Sequence, residues 1–143
     1  MKINAISNNY NARPINFKND NNDTQKVNLA RMLYRNRAKL VKHVEQDVPD
    51  TFTKNYSPKI YKYDIPNTKN QALIAICAEP NSISKHKLIA GAYSKQQDTL
   101  CTKFILQDAY KQKIKDYFKT PNGIKNLAST IIQCSDEINK DSK

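Results

Sequence analysis

The chain has 143 residues, of which 24 are basic and 13 acidic, for a formal net charge of +11. That length suits one domain with a real core and argues against a second independent one. The charge favours association with anionic surfaces such as nucleic acid, acidic protein faces or lipid headgroups, and it opposes self-association at low salt. Cys77, Cys101 and Cys134 are odd in number, far apart and without a C-x-x-C spacing, which argues against a disulfide scaffold and a structural zinc site. No run of 18 apolar residues and no signal-peptide core occurs, so the expected compartment is the cytoplasm, with thiols reduced and non-classical secretion left open.

Residues 1–24 hold eight asparagines and only scattered Ile3, Ile6, Ile15 and Phe17. Too little apolar surface is available there to offset the entropy of ordering, which predicts a flexible Asn-rich arm. Within it, M-K-I-N-x-I-x-N-N followed by Ile15-Asn16-Phe17-Lys18 resembles a leader common to uncharacterised proteins of low-GC, gut-associated bacteria. The resemblance spans residues 1–18 and implies no activity.

Asp23 or Thr24 is the expected N-cap of one long helix reaching about Gln46. Val27, Ala30, Leu33, Tyr34, Leu40, Val41 and Val44 recur at intervals of three and four, while Arg31, Arg35, Lys39 and Lys42 line another face. Like charges at i,i+4 weaken an isolated helix by about 0.2–0.5 kcal/mol each, so packing or a polyanion has to offset them. Pro49 and Asp50 end the segment.

The period then changes to that of strands. Lys59–Ile65 alternates and meets a turn at Pro66–Asn67; Ala72–Ala78 and Leu88–Tyr93 are apolar on both faces; Thr99–Gln107 completes the set. The doubly apolar runs predict central strands covered above and below. Asp108 is the expected N-cap of a helix through Lys119, Thr120–Asn122 punctuates, and a last helix runs from Gly123 to about Ile138. The expected fold class is α+β: a long N-terminal helix, a four-stranded antiparallel meander and two C-terminal helices. These make a single domain over residues 25–138, followed by a frayed tail at 139–143.

Three of the four arginines fall at Arg31, Arg35 and Arg37. With Lys39 and Lys42 they form the expected anion-binding set, because guanidinium groups bind phosphate bidentately and cations spaced along a helix bridge successive phosphates. Tyr61 and Tyr63, interleaved with Lys59 and Lys62, are stacking candidates for single-stranded nucleic acid, although alternation equally makes them core-facing. Cys77 with His86 is the one thinkable nucleophile–base pair, and it lacks an identifiable third member. No glycine-rich phosphate loop, metal-ligand spacing or cofactor motif is present. The sequence therefore points to a small basic non-enzymatic binding protein associating with nucleic acid through phosphate contacts. The alternative is a protein–protein interaction module, such as an adaptor, inhibitor or secreted factor, that recognises an acidic partner.

Overall fold

The computed structural model describes residues 21–51 and 57–141; of the arm expected over residues 1–24, residues 1–20 lie outside them, as do the last two residues of the tail, while residues 21–24 form the first turn of a helix. Helices α1 (Asn21–Arg35) and α2 (Arg37–Asp47) come first. Strands β1 (Lys59–Asp64), β2 (Asn70–Ala78), β3 (His86–Ser94) and β4 (Thr99–Ala109) follow, then α3 (Lys111–Lys119) and α4 (Pro121–Asp141). The strands pair in sequence order, antiparallel throughout, as the meander expectation requires. Their turns place Asn67, Asn81 and Asp98 at positive φ, where short polar side chains are tolerated best.

The single long N-terminal helix is corrected to two, with the break at Asn36. There the backbone leaves helical geometry, and the Asn36 side-chain amide donates to the Met32 carbonyl at 2.7 Å. Asparagine offers the backbone an alternative partner in this way, which is why it punctuates helices that periodicity alone would run through. The buried positions keep their phase across the break: Leu29, Leu33, Leu40 and Val44 all face the core. Packing of α1 on α4 and of α2 on α3 offsets the repulsion along the basic face.

The C-terminal helices start differently from expectation. Asp108 sits at positive φ within a bulge of the β3–β4 ladder and donates its backbone N–H to Glu79 Oε2 at 3.1 Å, so α3 begins only at Lys111. Thr120 caps α4, accepting the Gly123 N–H on its hydroxyl at 3.0 Å, and Pro121 takes the first helical position. A proline there is pre-organised for the helix rather than a break in it.

The helices gather on one face of the sheet. The core joins Leu29, Leu33, Leu40, Ile114, Phe118 and Ile131 to Ala72, Ile74, Ile76, Leu88, Ala90 and Ala92, and the register puts all six strand residues on the same side. The expectation that helices cover both faces is therefore corrected: on the other side Ile60 is 53%, Leu100 56% and Phe104 58% exposed. Both faces of β2 and β3 read as apolar because the uncovered face is itself largely apolar.

A polar link ties β2 to α4. The buried Asn70 amide donates to Ser135 Oγ at 2.8 Å and to Asn139 Oδ1 at 3.1 Å. Ser135→Ala removes one acceptor from a buried amide and is expected to cost about 1–3 kcal/mol, read as a lowered urea midpoint at unchanged m-value.

Candidate anion-binding surface

Arg31, Arg35 and Lys42 each stand two positions beyond a buried leucine (Leu29, Leu33 and Leu40), about 200° round a helix of 3.6 residues per turn. They are exposed and turned away from the core, and Lys39 is exposed beside them. Among the described residues no carboxylate lies within ion-pair distance of any of the four. Arg37 is placed differently. Its guanidinium lies 3.8 Å above the Tyr34 ring and donates to the Tyr34 carbonyl at 2.7 Å, closing the end of α1.

The lysines of α3 contrast with this stripe. Lys115 is paired with Glu45 of α2, Lys111 reaches the Glu45 carbonyl at 3.1 Å and Asp50 at 3.8 Å, and Lys119 lies 3.8 Å from Asp116. The Lys115 hydrogen bond and charge hold the Glu45 carboxyl below its ordinary range. Lys111 and Lys115 fasten α3 to α2 and the segment that follows it, Lys119 is met within its own helix, and of the α3 lysines only the exposed Lys113 has no carboxylate partner among the described residues.

The free positive field of the stripe continues elsewhere. A groove of about 700 Å³ runs between α1 and α4, floored by Val27, Ala30 and Ile124, with Lys26, Arg31 and Lys125 along its lining and Asp23 as its single acid. Arg31 belongs to both the stripe and the groove. Lys125 was missed in the sequence because it lies on a different helix from Lys26 and Arg31; only the packing of α1 against α4 brings them together.

The other expected groups divide as follows. Tyr61 and Tyr63 lie on the helix-covered side, in register with Ile74 and Ala72. The Tyr61 ring stacks on His43 at 4.8 Å and its hydroxyl donates to Asp47 at 2.7 Å. The rings on the uncovered side are Tyr93 and Phe104, with Lys62 and Lys87 placed 5.5 and 5.2 Å from their centroids. An exposed cation–π contact of this kind is worth about 0.5–1 kcal/mol. Carrying the strand alternation through the register would have found these pairs.

Cys77 and His86 fall on opposite faces of the sheet, Cys77 opposite Lys87 and His86 opposite Ala78, so they do not form a nucleophile–base pair. Burial raises the Cys77 thiol above its ordinary value, with Lys87 partly offsetting it. Cys101, Cys134 and Glu137 bring their ligand atoms within 4.8 Å of one another. However, Lys103 holds Glu137 at 3.0 Å, and burial together with Cys101 pushes the Cys134 thiol up to about 12. A thiol held protonated at Cys134 beside a carboxylate already met by an ammonium group makes a poor cation site.

His86 is fully buried, and burial, reinforced by Lys111 against an opposing Asp50, holds its imidazole below the ordinary 6.5. The unfolded chain thus binds more protons than the folded one as the pH falls below that value. Stability is complete above it and lost as the pH drops towards the folded-state value. Urea midpoints measured from about pH 7.5 down to about pH 5 are expected to decline in this window, and His86→Gln to flatten the decline.

Compared with known family models, curated proteins and solved structures, the chain matches none, so its function is argued from its own geometry.

Proposed function

We propose that this chain is a small binding protein that holds nucleic acid through phosphate contacts from Arg31, Arg35, Lys39 and Lys42. The observation that carries the reading is the difference between two sets of cations in one molecule. Lys111, Lys115 and Lys119 of α3 are met by the chain's own carboxylates, whereas the four cations of the α1–α2 stripe, like the single remaining α3 lysine Lys113, have none among the described residues. Uncompensated cations spaced along a helix release counterions when they meet a polyanion, and this release drives association that weakens with salt. Arg37, engaged with Tyr34, contributes local order rather than phosphate contacts in this reading.

Salt-sensitive retention on heparin, together with co-purifying material rich in absorbance at 260 nm, tests it. A chain that elutes early from heparin and free of nucleic acid would refute it. The groove between α1 and α4 favours a second reading, an interaction module for an acidic protein segment. Its apolar floor and cationic lining suit an amphipathic helix whose apolar anchors enter while its acids meet Lys26, Arg31 and Lys125. Specific capture of such a segment, with nucleic acid failing to compete, would support that reading over the first.

A further inference from the structure

The three cysteines, unrelated by spacing, are sorted by the fold into a pair and an outlier. Cys101 of β4 stands opposite Ala92 on the helix-covered side of the sheet, where α4 packs against β4 and holds Cys134 fully buried. Their sulfur atoms lie within 4.8 Å of one another. Cys77 is on the other face of the sheet, opposite Lys87, so the sheet separates it from both. We propose that Cys101 and Cys134 are a disulfide-forming pair, oxidised by small disulfides such as oxidised glutathione and reopened by small thiols.

Placement is the first support. Cysteines whose side chains point apart cannot be bridged without moving the backbone, whereas these two reach towards each other from separate elements. Access then assigns the roles. Exchange begins with a thiolate that the oxidant can reach, and Cys101 is half-buried while Cys134 is closed off. Burial, with the hydrogen bond and charge of Cys101 adding to it, pushes the Cys134 thiol up to about 12, which leaves the first attack to Cys101. The Lys103 ammonium, held chiefly by Glu137 at 3.0 Å, is near enough to both sulfurs to feel their charge. A cation there favours sulfur as thiolate.

In the first step Cys101 gives up its proton and its thiolate attacks one sulfur of the small disulfide. A bond forms from the Cys101 sulfur, the oxidant's own sulfur–sulfur bond breaks, and the departing thiolate keeps the electron pair and takes up a proton. Cys101 is then uncharged, so its share of the hold on Cys134 is released. Cys134 loses its proton and attacks the Cys101 sulfur, expelling the second small thiolate, which is protonated in turn. Two protein thiols are oxidised while one small disulfide becomes two thiols. The bond staples α4, which forms one wall of the groove, to the sheet.

The reduced full chain, incubated under native conditions with excess oxidised glutathione at about pH 8, is then denatured and its thiols are counted. Three thiols are expected to fall to one, with a mass about 2 Da lower and a peptide map that joins Cys101 to Cys134 and leaves Cys77 free. Dithiothreitol should restore all three. Cys134→Ala should stop at the mixed disulfide, retaining one glutathione on Cys101, and Cys101→Ser should leave Cys134 unreacted. Cys77→Ser should form the link as the native chain does. A native chain that keeps three thiols, that holds glutathione at Cys101 without closing the bridge, or that links Cys77 to either partner overturns the proposal, whatever the folding of the variants. An adduct on Cys134 in Cys101→Ser overturns it as well.

Discussion

Replacing Arg31, Arg35 and Lys39 together by glutamate is expected to abolish nucleic-acid binding by the full chain. Each phosphate neutralised contributes about −0.9 to the slope of log affinity against log salt, so four cations give a slope near −3.6. Between about 50 and 200 mM salt the affinity should then fall about 150-fold. Fluorescence anisotropy of a labelled duplex across that range measures both numbers. Single replacements by alanine at Arg31, Arg35, Lys39 or Lys42 should each remove about 0.9 from the slope. Arg37→Ala should leave it nearly unchanged, because that guanidinium is already spent on the Tyr34 ring and carbonyl. A flat salt profile, or a triple variant that binds as tightly as the native chain, would show that the stripe is only a solvated helix face.

Phe118→Ala carries the largest expected loss of stability. The ring is fully buried where α3 meets the core, among the chain's largest buried side chains. Truncating a buried phenylalanine costs about 3–5 kcal/mol, part in lost burial and part in the cavity left behind. For a domain of this size that corresponds to a melting temperature lowered by about 10–20 °C, which calorimetry reads directly. The loss bears on function as well, since α3 is the element against which α2 packs, and Lys39 and Lys42 ride on α2. Under conditions where the variant is still folded, its nucleic-acid binding should stay near native; loss of binding without unfolding would mean that α3 contributes contacts of its own.

Much of the architecture was legible in residue order. Periodicity of two over Lys59–Ile65 and Thr99–Gln107, and continuous apolar runs between them, announced four antiparallel strands, and the fold carries them in sequence order. Helix ends were less legible. Asn36 interrupts α1–α2 by hydrogen-bonding its own backbone, a local event to which hydrophobic spacing is blind. Thr120–Pro121 reads as punctuation, yet it is the cap and first residue of α4.

Charge and side-chain type are written in the chain, so the sequence by itself determined the α+β class, the cationic excess and the residues on the outward side of the first helical segment. Those properties follow from local spacing, because side chains three and four positions apart share a helix face wherever the helix is placed. Tertiary structure alone decided which cations remain uncompensated and which apolar strand face stays open. Lys111 and Lys115 find Glu45 and Asp50 only when α3 folds against α2, and Ile60 and Phe104 share a row only through three strand pairings. Such contacts join residues from 44 to 70 positions apart, and nothing in local pattern encodes them.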